Sequence, residues 1–182
     1  VILFSDRPAI VQDLTVIREF VLRAIGRYDS NGGTALYDAL WMGLDRLGKV
    51  EGRTAVVVLT DGRDEDAPGR GPGSTHTLDQ VLGRIKELKT TIYSIGLGPN
   101  VDKATLDRIA EVSSGEAYFS ADTAALVSDY RRILENLRRR YVISYTSTNR
   151  QHDGKFRKVE VKPKRAGIAV EATDGYTAPV MK

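Results

Sequence analysis

The sequence predicts an α/β protein with a Rossmann-like open, mostly parallel sheet flanked by helices. Apolar runs of strand length alternate with amphipathic segments of helix length, which is typical of right-handed βαβ units. Residues 54–60 form the strongest predicted strand, because the run is continuous, apolar and rich in β-branched residues, and we expect both its faces to be covered. Further strands are predicted at 91–95 and 117–119, between helices that begin near Thr77, Asp102 and Thr123.

A hairpin and two helices are predicted before residue 54. The apolar run 1–4, the turn after it and a short return strand at 9–11 indicate the hairpin. The first helix follows Thr15, its predicted cap, ends near Tyr28 and has an apolar face that we expect to be buried. The second helix carries a buried stripe over residues 36–47.

The periodicity changes after residue 140. Three strand-like segments follow with no helix between them, so the chain is predicted to consist of an α/β domain over 1–140 and a C-terminal β extension over 141–182. An extension of about 40 residues is too small to be stable on its own. The three predicted strands are 141–147, 156–162 and 168–173.

The composition excludes several classes of function. The 27 basic and 24 acidic residues are interleaved, so the net charge of +3 indicates neither a nucleic-acid nor a membrane-surface partner. The absence of cysteine excludes disulfide scaffolds and thiol catalysis, and His76 and His152 have no neighbours at zinc-ligand spacing. No apolar run approaches the roughly 20 residues of a transmembrane helix. The chain opens at Val1 inside an apolar run, and we expect further sequence before it.

Two polar segments lie where ligands collect in open α/β sheets, at the carboxyl ends of strands and the amino ends of helices. Asp61 follows strand 54–60, and Thr34 follows two glycines at the start of the second helix. Carboxylate and hydroxyl oxygens suit Mg²⁺, so this pair is the candidate metal site. The alternative roles are local ones: Thr34 as an N-cap and Asp61 as a turn former.

The order and spacing of three motifs resemble the von Willebrand factor type A (VWA) family. The motifs are Gly-Gly-Thr-Ala-Leu-Tyr-Asp-Ala at 32–39, Val-Val-Val-Leu-Thr-Asp-Gly at 56–62 and Ile-Tyr-Ser-Ile-Gly-Leu-Gly at 92–98. In the extension, Tyr-Val-Ile-Ser-Tyr at 141–145 and Gly-Tyr-Thr-Ala-Pro at 175–179 resemble bacterial VWA-related proteins that carry a C-terminal β extension.

The resemblance implies a metal-ion-dependent adhesion site (MIDAS) built from an Asp-x-Ser-x-Ser motif, a Thr and an Asp. Thr34 matches the second element and Asp61 the third. The first element does not occur in this sequence, and residues 1–4 resemble the strand after the family's first helix. The resemblance therefore implies a VWA fold that lacks its first strand and helix, with an incomplete metal site that binds Mg²⁺ or another divalent cation weakly.

The implied function is a metal-ion-dependent protein-binding, adhesion or assembly module and not an enzyme. A divalent cation would bridge the domain to an acidic side chain of a protein ligand. Two alternatives stay open: a metal-independent interaction module that uses the same surface or the β extension, and a Mg²⁺-dependent phosphoryl-transfer enzyme with Asp61 and Asp64 at its site. The resemblance favours a secreted or periplasmic protein.

Overall fold

The computed structural model describes residues 1–27, 32–61, 63–67, 69–138, 144–167, 170 and 175–180. The chain divides into two compact units, Val1–Arg140 and Tyr141–Lys182. Across the described ranges, no helix has the length and apolar character needed to cross a membrane.

The first unit confirms the predicted α/β class. Strands β3, β4 and β5 form a parallel sheet in that order, with Ala55 beside Thr91 and Tyr93 beside Glu116. A separate antiparallel hairpin is formed by β1 and β2. The elements are β1 (Ile2–Phe4), β2 (Pro8–Ile10), α1 (Arg18–Ile25), α2 (Leu36–Leu47), β3 (Ala55–Thr60), α3 (Leu78–Leu88), β4 (Thr91–Leu97), α4 (Lys103–Ser113), β5 (Glu116–Ser120) and α5 (Thr123–Arg138).

The core of this unit lies on both faces of the β3–β4–β5 sheet. Helices α2, α3 and α4 cover one face, and their apolar stripes pack around Val58 and Ile92. Helix α5 covers part of the other face, where Ile133 contacts Tyr93, Ile95 and Tyr118. Burial of these side chains is the main favourable contribution to the stability of the unit.

The helix caps in the structure match some of the caps predicted from the sequence. Thr77 and Gln80 form the predicted capping box of α3, and Asp122 accepts a hydrogen bond from the Ala125 N–H at the start of α5. The prediction that Thr15 caps the first helix is wrong, because α1 begins at Arg18 and has no side-chain cap. The Thr15 hydroxyl instead accepts a hydrogen bond from the N–H of Ile17 within the preceding turn.

An open cleft separates β1 from β3. Within the described part of the chain, β1 pairs only with β2 and β3 only with β4. The cleft between them has a volume of about 730 Å³. The expectation that both faces of the strongest strand are covered is therefore wrong: Val57 is 37% exposed and Leu59 is 44% exposed.

The apolar faces of α1 and α5 are less buried than their periodicity predicts. Only Ala24 of α1 and Ile133 of α5 are buried. The physical reason is that no described element covers the flank of α5 or the adjacent face of β3. Exposed apolar residues on the two helices are Phe20, Leu22, Ile25, Val127, Tyr130, Leu134 and Leu137.

The second unit contains one short antiparallel pair, β6 (Phe156–Lys158) with β7 (Gly175–Thr177). Strand β6 lies inside the predicted strand 156–162. Residues 144–147 contain no strand, and 141–143 lie outside the described residues. Most of the predicted strand 168–173 also lies outside them, and the observed partner of β6 begins at Gly175.

Candidate functional site

The candidate site is organised by residues 33–35, which contact both the residue after β1 and the loop after β3. The Ala35 N–H donates to the carbonyl oxygen of Ser5, directly after β1, at 2.7 Å. The Thr34 N–H donates to the carbonyl oxygen of Glu65, in the loop after β3, also at 2.7 Å. The residues that follow β1 and the loop that follows β3 therefore meet at one edge of the domain.

The two predicted site residues lie at this edge. Thr34 and Asp61 both line the cleft between β1 and β3, although they come from separate loops. Asp61 directly follows β3 and is exposed. Neither side chain makes a hydrogen bond or ion pair with another described residue. Both residues that the sequence singled out therefore line the same cleft.

Thr34 is not the N-cap of α2, which was the alternative role considered for it. Helix α2 has Ala35 at its N-cap position, without a side-chain cap. Two more distant side chains accept from its free N–H groups: Asp64 Oδ1 from Tyr37 at 3.1 Å, and Ser74 Oγ from Asp38 at 2.9 Å. The Thr34 hydroxyl is therefore not needed to begin the helix.

Asp64 has a structural role in the long loop after β3. Besides the Tyr37 N–H, its carboxylate accepts hydrogen bonds from the Ser74 hydroxyl at 2.5 Å and from the Ser74 N–H at 3.1 Å. A carboxylate with this set of donors holds the loop against the start of α2.

Asp38, on α2, holds the C-terminal end of the same loop. It accepts hydrogen bonds from the N–H groups of Thr75 and His76 and from both side chains, with His76 Nδ1 at 2.6 Å. The His76 ring stacks on Trp41, with 4.3 Å between ring centroids. Partial burial opposes the charged form of Asp38, but these hydrogen bonds prevail and lower its pKa to about 2.

Two glycines allow the loop to approach Thr34 closely. A Cβ atom on Gly33 would lie 2.5 Å from the Glu65 carbonyl oxygen, and one on Gly73 would lie 2.6 Å from the Thr34 carbonyl oxygen. Both neighbours are backbone atoms, so any larger residue would push the loop away. The position of Thr34 thus depends on glycine at 33 and 73.

Asp6 is a residue of this edge that the sequence analysis missed. Its Oδ1 atom accepts a hydrogen bond from the Gly33 N–H at 2.6 Å, one residue before Thr34. The sequence could have identified Asp6, because ligands collect at the carboxyl ends of strands. Asp6 lies just after β1, as Asp61 lies just after β3. Across the described residues, no group of three or more His, Cys, Asp or Glu is arranged to hold a metal ion.

Comparison with known proteins decides the family. The sequence model of the von Willebrand factor type A domain matches residues 1–132. The chain belongs to the VWA family. A VWA domain of this kind is an interaction module, which supports a binding or adhesion role in general terms.

Solved structures agree with the VWA fold. A von Willebrand factor type A protein from Catenulispora acidiphila has a TM-score of 0.60 and 23% identity, over 72% of this chain and 31% of that chain. Proximal thread matrix protein 1 from the mussel byssus has a TM-score of 0.58 and 22% identity, over 74% of this chain and 33% of that chain. BatB from Bacteroides thetaiotaomicron has a TM-score of 0.54 and 13% identity, over 74% and 78%.

One curated relative is an uncharacterised protein of Synechocystis. It is 23% identical over 141 residues, which cover 75% of this VWA chain and 32% of the relative. The chain thus spans about a third of the length of that relative and of the first structural neighbour. Thr34 and Asp61 lie in the matched region, and both face the cleft.

Proposed function

We propose that this VWA domain recognises a protein partner through a divalent cation held at the carboxyl edge of β1 and β3. The observation that carries the proposal is that Thr34 and Asp61, from separate loops, line the same cleft with side chains that no described residue engages. Oxygen atoms of this kind suit Mg²⁺, and an acidic side chain of the partner would complete the coordination.

The small number of available oxygen atoms predicts that the divalent cation binds weakly. The Thr34 hydroxyl would bind the ion directly, and Asp61 directly or through water. We add Asp6 as a third source of oxygen, because its carboxylate accepts a hydrogen bond from the N–H of Gly33, the residue before Thr34. Three side chains leave about half of an octahedral shell to water and the partner.

Calorimetry with MgCl₂, MnCl₂ and CaCl₂ tests the metal site. We expect weak, saturable binding of at least one of these cations, which Asp61→Ala abolishes. Asp107→Ala is the matched control, because Asp107 is an exposed carboxylate on α4. Asp6→Asn keeps an oxygen acceptor for the Gly33 N–H but removes the charge, and we expect it to weaken binding.

Recognition of an acidic partner is tested with a pair of labelled peptides, acetyl-Gly-Gly-Glu-Gly-Gly amide and its Gln analogue. We expect only the Glu peptide to bind, only with the cation present, and not to Asp61→Ala. Cation binding that is equal in wild type and Asp61→Ala would contradict the proposal, as would peptide binding that persists in EDTA.

The structure gives less support to the phosphoryl-transfer alternative. That alternative needs Asp61 and Asp64 to hold metal and phosphate together. Asp64 already accepts one hydrogen bond from Tyr37 of α2 and two from Ser74 of its own loop. Releasing it would remove its hydrogen bond to the Tyr37 N–H of α2 and both of its hydrogen bonds to Ser74.

A further inference from the structure

The net charge of the chain is divided unevenly between the two units. Residues 141–182 contain eight basic and four acidic side chains, which give a net charge of +4. Residues 1–140 contain 19 basic and 20 acidic side chains, which give a net charge of −1. The net charge of +3 for the whole chain therefore conceals a basic second unit, and a basic unit attracts anionic partners.

Most cations of the second unit are not neutralised by its described carboxylates. The two acidic residues in the range 144–167 each pair with one cation: Asp153 with Arg157 at 2.7 Å, and Glu160 with Lys162 at 3.3 Å. Five exposed cations of the same range form no ion pair with a described carboxylate: Arg150, Lys155, Lys158, Lys164 and Arg165. The positive charge of this range is therefore available to a partner.

The two faces of the β6–β7 ribbon differ in exposure. Side chains alternate between the faces along a strand, so Phe156 and Lys158 share one face and Arg157 lies on the other. Arg157 lies opposite Tyr176, whose ring packs edge-on against Tyr145 with 6.3 Å between ring centroids. The Arg157 side chain is only 17% exposed, whereas Phe156 is 59% exposed. The face that carries Phe156 and Lys158 is therefore the open one.

Gly175 sets the position of the Phe156 ring on this open face. A Cβ atom on Gly175 would lie 2.8 Å from the Cζ atom of Phe156. The ring therefore leans across β7, into the space that a side chain at position 175 would occupy. Lys158 lies directly opposite Gly175 on the same face. An exposed ring that is held along a ribbon beside a cation is a surface on which a planar ring can stack.

We propose that the open face of the β6–β7 ribbon binds a single-stranded nucleic acid, with a base stacked on Phe156 and phosphates neutralised by Lys158 and the other unpaired cations. The cations attract phosphate groups whatever the base sequence. The exposed ring favours a polyanion that carries planar bases over one that does not. A ring that inserted into a membrane would project from the ribbon, whereas Phe156 leans along it. This activity goes beyond the proposed function, because it uses the other unit and requires no divalent cation.

Two oligomers with the same backbone charge separate base stacking from general attraction to anions. The probe is a fluorescein-labelled oligothymidylate of about 12 nucleotides, and its control is an abasic oligomer of the same length, which keeps the phosphates and lacks the bases. In fluorescence anisotropy with the whole chain in EDTA, we expect saturable binding of the probe and at least about fivefold weaker binding of the control. Raising NaCl from about 50 to about 200 mM should weaken the binding of both oligomers about tenfold.

Two pairs of variants locate the bound oligomer. Phe156→Leu keeps an apolar side chain against Gly175 but removes the ring, so it should weaken binding of oligothymidylate at least about fivefold and leave the abasic oligomer within about twofold. Lys158→Gln should weaken binding of both oligomers and make it less dependent on salt. Phe119→Leu and Lys103→Gln are the matched controls, because they alter an exposed Phe and a Lys 5.3 Å from its ring in the VWA domain. Both controls should stay within about twofold of wild type. The amide NMR spectrum of each variant verifies that β6 and β7 remain paired.

Several results would overturn the proposal. Equal affinity for oligothymidylate and the abasic oligomer would show that the bases are not recognised and would assign the surface to polyanions in general. Equal loss in Phe156→Leu and Phe119→Leu would place the oligomer elsewhere. Binding that requires a divalent cation would assign it to the metal site. A chain that binds phosphatidylglycerol vesicles but no oligothymidylate would assign the basic unit to an anionic membrane surface.

Discussion

The two halves of the VWA sheet differ in how fully the same kind of apolar sequence is buried. On the β4–β5 side, Ile95 is 0% exposed and packs with Tyr118 and Ile133. On the β3 side, Leu59 has a similar side chain on the same face but is 44% exposed. The difference shows that an apolar pattern specifies which face of an element can be buried, whereas the neighbouring elements decide whether it is.

The largest expected effect contrasts these two side chains directly. Ile95→Ala should lower the free energy of unfolding by about 2 to 5 kcal/mol, because it leaves a cavity in a packed core. Leu59→Ala should lower it by less than about 1 kcal/mol, because the side chain already contacts water. Urea unfolding followed by circular dichroism measures both, and equal losses would show that the β3 side is as well packed as the other.

The next contrast lies within the loop after β3. Asp64→Ala removes the acceptor of the Tyr37 N–H and the Ser74 hydroxyl, and we expect it to destabilise the protein by about 1 to 2 kcal/mol. Asp61→Ala should change stability by less than about 0.5 kcal/mol in the absence of metal, because that carboxylate is exposed. The same urea experiment distinguishes them. A larger cost for Asp61 would reverse the roles we assign to the two carboxylates.

Asp38 adds a pH dependence to the other end of this loop. Its pKa is lowered to about 2 in the folded protein, whereas an unfolded Asp titrates near 3.9. The stabilisation is therefore complete above about pH 4 and is lost as the pH falls toward 2. Asp38→Asn should reduce the loss of stability over this window by roughly 1 to 2 kcal/mol. An unchanged acid-unfolding curve would contradict this assignment.

The smallest effect compares two threonines near helix starts. Thr77→Ala disrupts the capping box of α3, and we expect a cost of about 1 kcal/mol. Thr15→Ala should cost less than about 0.5 kcal/mol, because the hydroxyl accepts only from Ile17 ahead of α1. Thermal unfolding measures the difference, and a cost for Thr15 equal to that for Thr77 would restore Thr15 as a cap.

Much of the fold could be predicted from the sequence, because the determining interactions are local. Apolar periodicity located α2, and the capping box at Thr77 located the start of α3. At the site, the rule that ligands collect at the carboxyl ends of strands led to Thr34 and Asp61, which line one cleft. The same rule applied to β1 would have identified Asp6.

The features that could not be predicted depend on residues far apart in the sequence. Helix α2 is capped by Asp64 and Ser74, whose contacts span 27 and 36 residues, so the capping role given to Thr34 was a reasonable local alternative. The exposure of Tyr130 and Leu134 on α5 likewise depends on what lies beside the helix. Local sequence patterns predict neither these distant caps nor the exposure of α5.

Hydrogen exchange at β3 tests the open edge most directly. The Thr91 N–H donates to the Thr54 carbonyl oxygen, and backbone groups alternate in direction along a strand. The amides of Val56 and Val58 therefore point toward β4, whereas those of Val57 and Leu59 point into the cleft. In NMR-detected exchange, we expect the cleft-facing amides to exchange at least about 100-fold faster than their neighbours in the free protein. Equal protection of all four amides in the free protein would show that β3 is paired on both sides, and would contradict the account.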